Sequence, residues 1–198
     1  MSNVQLVAER IGQAERIAVL TGAGVSAESG VPTFRDPGGL WARFSPQELA
    51  SMDGFLANPE RVREWYAYRR GVITSVQPNA GHLALAKMES LMPHMVIATQ
   101  NVDRLHQRAG SANVLEVHGN ILENRCNECG WIDPAEEEKE ECIHCGGFMR
   151  PNVVWFGEML PADVFQAAED AARTCDVFLT IGTSSVVYPG AFLLQAAR

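Results

Sequence analysis

Ile17-Ala18-Val19-Leu20-Thr21-Gly22-Ala23-Gly24 is a short apolar run that closes on two glycines. Such a run reads as a buried strand entering a tight turn. The turn continues as Gly22-x-Gly24-x-x-Ala27, which matches the Gly-x-Gly-x-x-Gly/Ala pattern of dinucleotide-binding folds. There the first glycine allows the turn, the second lets backbone approach a pyrophosphate, and the small third residue lets helix pack on strand. Taken alone, the pattern also fits an ordinary strand-to-helix turn. Working outward, Val4, Leu6, Val7, Ile11 and Ala14 recur at helical spacing, which predicts a helix over 3–15. Further strands are expected at Met95–Thr99, Val114–His118, Val153–Phe156 and Val177–Ile181. Asn58-Pro59-Glu60 is an N-cap, a first-turn proline and an early acid, opening a helix to about Thr74. Pro161 opens another to about Thr174, and a last helix starts near Pro189. Strands alternating with helices predict an α/β fold with a doubly wound, Rossmann-like parallel sheet.

The chain has 198 residues, of which 46% are hydrophobic and 20% charged, values of an ordinary globular protein. Sixteen basic against 24 acidic residues leave a net charge of −8, a poor basis for a general nucleic-acid binder. No apolar run approaches the roughly 18 residues needed to span a bilayer, and Met1-Ser2-Asn3-Val4 does not open a signal peptide. A cytoplasmic protein with no membrane partner is expected.

Residues 124–150 break the α/β rhythm with few apolar residues and an acidic run, Glu136–Glu141, interrupted by Lys139. They carry Cys126-x2-Cys129 and Cys142-x2-Cys145, twelve residues apart. Two such knuckles aim four thiolates at one point and suit tetrahedral zinc, although the spacing is shorter than in most zinc ribbons. Four protein ligands leave no open position, so one structural Zn2+ is expected rather than a catalytic one. His144 lies between ligands as a further candidate, a redox-active pair is the alternative, and Cys175 reads as an isolated structural cysteine.

The stretch Gly22-Ala23-Gly24-Val25-Ser26-Ala27-Glu28-Ser29-Gly30-Val31-Pro32-Thr33-Phe34-Arg35 resembles the signature loop of the sirtuin family. Thr99-Gln100-Asn101-Val102-Asp103, Val117-His118-Gly119, Pro151-Asn152-Val153-Val154-Trp155-Phe156-Gly157-Glu158 and Gly182-Thr183-Ser184-Ser185 resemble the family's later motifs, in family order over 17–190. The resemblance implies a Rossmann-like NAD-binding domain with a smaller zinc-binding domain inserted. It implies NAD as a consumed co-substrate in removing acyl groups from lysine, giving nicotinamide and 2′-O-acyl-ADP-ribose. Acyl-lysine peptides or proteins are the implied partners.

By that resemblance His118 is the general base, a role an imidazole fills at neutral pH. Asn101 and Asp103 hold the carboxamide and the nicotinamide ribose and complete the implied catalytic set. Gly22, Ala23, Gly24, Ser26, Phe34, Arg35, Trp41, Gln100, Val102, Gly182, Thr183 and Ser184 are implied on the cofactor. Phe34 shields the reacting sugar, and Arg35 orders the loop. Val154, Phe156, Gly157 and Glu158 belong to an extended segment that pairs with substrate as an added strand. Residues without the family context have plainer readings: a strand-end histidine, an Asn/Asp helix cap, an edge strand.

Tyr66 and Arg69 are three apart and share one helix face. A phenol and a guanidinium together can grip a carboxylate; the plain alternative is a solvated basic face. Tyr66-x-x-Arg69 resembles the acyl pocket of class III sirtuins, which take succinyl-, malonyl- or glutaryl-lysine, and Thr33 agrees. The expected activity is therefore NAD-dependent desuccinylation and demalonylation, with deacetylation in addition. Rivals are a general deacetylase, a mono-ADP-ribosyltransferase, a non-catalytic NAD-binding module, and nucleic-acid binding by the zinc knuckles.

The expected organisation is one catalytic unit. Residues 1–56, 76–123 and 151–198 form the NAD-binding domain, 57–75 a helical insert of the small domain, and 124–150 the zinc module. The family continues past position 198, so the last part of the fold is expected to be missing from this sequence.

Overall fold

The computed structural model describes residues 2–34, 38–135, 139–184 and 189–197. Helix α1 (Asn3–Gln13) is shorter than its periodicity suggests, because Ala14 turns extended to enter β1 (Ile17–Thr21). The glycine turn leads into α2 (Gly24–Ala27). Short helices α3 (Pro46–Leu49) and α4 (Met52–Ala57) precede α5 (Pro59–Ser75) and α6 (Ala80–Leu91). The Asn58 side chain accepts from the Arg61 amide and caps α5, with Pro59 in the first turn, as expected. Next come β2 (Met95–Thr99), α7 (Leu105–Arg108) and β3 (Val114–Glu116). Strands β4 (Gly119–Cys126), β5 (Ile132–Pro134) and β6 (Met149–Val153) follow. The chain then runs through α8 (Ala162–Thr174), β7 (Val177–Ile181) and α9 (Phe192–Ala196).

Two sheets divide these strands. A parallel sheet has the order β3-β2-β1-β7, and an antiparallel sheet the order β5-β4-β6. All five residues of β1 are buried because helices cover both faces of the parallel sheet. Ile17 and Val19 pack on one side with Leu85 of α6; Leu20 packs on the other with Ala168 and Ala172 of α8. The third core lies between α3–α5 and the antiparallel sheet, where Phe55, Tyr66, Ile73, Ile121 and Trp155 meet.

Two strand expectations shift. The third parallel strand ends at Glu116, two residues short of His118. Val117 and His118 instead turn the chain from the first sheet into the second. Gly119 makes that turn possible: its φ is +80°, and a Cβ there would overlap the carbonyl oxygen of Asn152. The strand expected at Val153–Phe156 is Met149–Val153, and it pairs antiparallel with β4 outside the parallel sheet. Polar Arg150 and Asn152 disguise it: Arg150 is buried against Glu158, and Asn152 donates to Glu123. The segment expected at 124–150 has both boundaries inside strands of this small sheet, β4 and β6.

Candidate active site and metal centre

A cavity of about 560 Å³ lies at the carboxyl ends of β1, β2 and β7, where open α/β sheets bind ligands. Its far wall is α5 together with residues 153–158. All the described cofactor, catalytic and substrate candidates line it except Gly22. Arg35 and Ser185 lie outside the described residues. Gly22 sits beneath the cavity, where a Cβ would come within 2.8 Å of the Thr183 Cβ. A Cβ on Gly24 would meet Gly182 at 2.9 Å. In this structure, therefore, the two glycines serve close packing of the β1 turn against the β7 turn.

At the floor of the cavity, Ser26 joins the two residues after β2. Its hydroxyl donates to Asp103 Oδ2 at 2.7 Å and accepts from Asn101 Nδ2 at 3.0 Å. Asp103 Oδ1 accepts from the Leu105 amide at 2.9 Å, so the carboxylate holds the turn that enters α7 as well as facing the cavity. Gln100 presents its oxygen to the Thr183 hydroxyl at 2.9 Å, while its Nε2 is buried without a hydrogen-bond partner among the described residues. A buried amide donor left open beside a carboxylate, an amide and hydroxyls fits a ribose or phosphate oxygen. The residues present therefore suit NAD.

His118 reaches the cavity from the turn between the sheets. Its Nδ1 lies 3.0 Å from the Gln100 carbonyl oxygen. A carbonyl only accepts, so Nδ1 carries the proton and Nε2 is left as a base. Burial lowers the His118 pKa below the ordinary histidine value, and the Gln100 carbonyl opposes this in part.

Behind the floor lies a pair of buried histidines that sequence reasoning missed. The His82 and His106 rings are 4.8 Å apart. The Asn79 amide donates to His82 Nδ1 at 3.3 Å, which turns Nε2–H toward Ser26 Oγ at 3.4 Å. Thr21 donates to Thr99 at 2.8 Å, so His106 Nε2 donates to Thr21 at 2.9 Å. Burial, then the neighbouring His82, push His106 down to about 4. The one sequence signal for His82 was its place three residues after the Asn79 cap.

On α5, Tyr66 and Arg69 are buried, not solvated. The Arg69 guanidinium lies 4.8 Å from the Trp65 ring, 5.1 Å from Phe34 and 5.7 Å from Tyr66. It makes no ion pair or hydrogen bond among the described residues. Burial raises the Tyr66 pKa, and the Arg69 charge opposes that rise. Trp41 stacks on Trp65 at 5.9 Å and tilts against Phe34 at 5.0 Å, closing the same aromatic wall. Val102 is buried, and its carbonyl accepts from Ile121. Glu158 pairs with buried Arg150 and accepts from the Trp155 amide at 2.8 Å, which folds Phe156-Gly157-Glu158 into a tight turn. The Val154 amide donates to the His118 carbonyl, and Phe156 to Ala50, each at 2.9 Å.

The four cysteine sulfurs of the knuckles lie within 4.8 Å of one another. Cys126–Cys145 is 3.4 Å and Cys129–Cys142 is 3.7 Å. Tetrahedral zinc with sulfur ligands at about 2.3 Å needs sulfurs roughly 3.8 Å apart, so the residues fit the metal. Amides of Cys129, His144 and Gly147 point at three of the sulfurs. His144 packs at a tilt against Trp131 instead, with ring centroids 4.1 Å apart.

Fold and site together define a dinucleotide-binding α/β protein with a zinc-type cysteine cluster. Residues 22–189 match the Sir2 family. The chain is 52% identical over 187 residues to an NAD-dependent protein deacylase of Aquifex aeolicus (strain VF5), covering 92% of this chain and 78% of that one. It is 48% identical over 196 residues to NAD-dependent protein deacylase 2 of Pyrobaculum aerophilum, covering 97% and 79%. Among solved structures, a mutant Sir2 homologue in complex with ADP-ribose superposes with a TM-score of 0.93 at 43% identity, covering 100% and 80%. The chain belongs to the Sir2 family, the sirtuins.

Proposed function

We propose that this chain is an NAD-dependent protein-lysine deacylase that prefers acidic acyl groups, succinyl and malonyl, and also removes acetyl. One observation carries the preference. Arg69 is a buried guanidinium without a carboxylate partner among the described residues, and it lines the same cavity as His118. A buried charge without a partner is costly, and an incoming carboxylate would offset that cost. The Tyr66 hydroxyl is the second group offered to it.

When bound, NAD would supply an electrophilic sugar carbon with nicotinamide as its leaving group. Asn101, Asp103 and Ser26 would hold the carboxamide and ribose, and Gln100 with Gly182–Ser184 would hold further oxygens of the cofactor. His118 Nε2 accepts the ribose hydroxyl proton. Phe34 covers the reacting sugar, and Val154–Glu158 receives the substrate backbone. The organisation proposed with this function is an NAD-binding domain carrying a helical insert and a zinc module, at work in the cytoplasm. No helix among the described residues is long and apolar enough to cross a membrane.

The test is mass spectrometry of paired succinyl-, malonyl- and acetyl-lysine peptides incubated with NAD. Faster loss of the acidic groups is expected, with O-succinyl-ADP-ribose formed. Arg69→Met should remove that advantage and keep deacetylation. Equal loss of both activities would refute the pocket role, and turnover of acetyl alone would leave a general deacetylase.

A further inference from the structure

Tyr66 and Trp155 stand 89 positions apart, yet the indole Nε1–H of Trp155 donates to the Tyr66 hydroxyl oxygen at 2.8 Å. Both side chains are almost fully buried, at 1% and 2% exposure. An indole nitrogen only donates, so the phenol oxygen is the acceptor in this pair. The phenol hydrogen is then turned away from Trp155, and no acceptor for it lies among the described residues. Tyr66 lines the cavity.

Trp155 is held through both its backbone and its ring. Its backbone amide donates to Glu158 at 2.8 Å, the Arg150 guanidinium lies 4.4 Å over its ring, and the Phe55 ring packs at 5.3 Å. Neither ring can rotate to relieve the contact without opening the core between α5 and the small sheet.

We infer that Trp155 is a specificity-positioning residue: its indole N–H fixes the Tyr66 hydroxyl as a donor aimed into the acyl cavity, where it meets an acyl carboxylate beside Arg69. A phenol free to rotate would present a lone pair to the carboxylate for part of the time and repel it. Trp155 does this without touching the substrate carboxylate. The inference rests on the acidic-acyl reading above and names a further residue behind it.

The experiment measures dissociation constants of fluorescein-labelled succinyl-lysine and acetyl-lysine peptides by anisotropy, with kcat/KM for both in parallel. Trp155→Phe keeps a ring and removes the donor. It should lower the succinyl-to-acetyl affinity ratio by about tenfold. In a Tyr66→Phe background the same change should leave the ratio unaltered, because the hydroxyl it acts through is gone. If Trp155→Phe fails to fold, benzothienylalanine at 155 keeps the indole's shape with sulfur in place of N–H, and the same drop is expected.

An unaltered ratio in Trp155→Phe, or an equal drop in both backgrounds, overturns the inference and leaves the acidic-acyl reading standing if Arg69→Met still abolishes the preference. Equal affinity of the unsubstituted chain for both peptides overturns the two together.

Discussion

The Nδ1 of His118 lies 3.0 Å from the backbone carbonyl oxygen of Gln100, so one hydrogen bond decides which imidazole nitrogen is left as a base. Burial favours the neutral ring and lowers its pKa. In the proposed mechanism the neutral ring is the active form, so activity should be retained above that pKa and lost as pH falls through it. The acid limb of kcat/KM should therefore lie below about 6.5. His118→Gln should cut nicotinamide release by about 10²–10⁴-fold and leave NAD binding by calorimetry within about threefold. Turnover undiminished in that variant would place the base elsewhere.

His82 and His106 are both neutral in the fold, and both have pKa values lowered by burial. The unfolded chain takes up protons near pH 6.5, whereas folded His106 resists until about 4. The cost of keeping His106 neutral is therefore absent above pH 6.5 and grows as pH falls, to on the order of 3 kcal/mol near pH 4. Thermal melts from pH 7.5 to 4 should show Tm falling through this window. His106→Gln should flatten the slope, and an unchanged slope would exclude His106 as its source.

Gly119 has no room for a side chain and a φ of +80°. Gly119→Ala should cost about 2–4 kcal/mol in urea unfolding and displace the adjacent His118. Gly12 in α1 meets nothing within 4 Å of a built Cβ, so Gly12→Ala should be neutral or stabilise by up to about 1 kcal/mol. Similar effects at the two sites would refute the packing argument.

Among the described residues, the buried hydrophobic cluster around the cysteine knuckles is Cys126, Cys142 and Met149. A cluster this small cannot by itself order the knuckle end of the small sheet, and a bound zinc would supply what is missing. One zinc per chain is expected by a colorimetric assay. Chelation should lower Tm by 10 °C or more, about the effect of losing a few kcal/mol, and added zinc should restore it. Cys142→Ser should lose zinc, whereas Cys175→Ser, remote from the knuckles, should keep it.

Local chemistry made much of this protein legible. The apolar run Ile17–Leu20 before two glycines announces a central strand, and β1 is buried throughout. Asn58-Pro59 carries its own helix start, and the cysteine spacing carries its own metal geometry. The motifs at 22–24, 100–103 and 182–184 gather at one end of the parallel sheet because each follows the carboxyl end of one of its strands. Strand Met149–Val153 was obscured because it contains Arg150 and Pro151; the ion pair to Glu158, a hydrogen bond to the Val153 carbonyl and the Trp155 ring account for the buried arginine.

By itself, then, the sequence determined the alternating architecture, the zinc-type cluster and which residues meet in the cavity, because those signals lie within one turn, one knuckle or one motif. Only the tertiary structure decided that Arg69 is a buried cation rather than part of a wet helix face. It alone paired His82 with His106 behind Ser26, and Trp155 with Tyr66 in the wall of the cavity. These relationships depend on which faces are shut off from water and on hydrogen bonds between distant segments, and no local pattern encodes either.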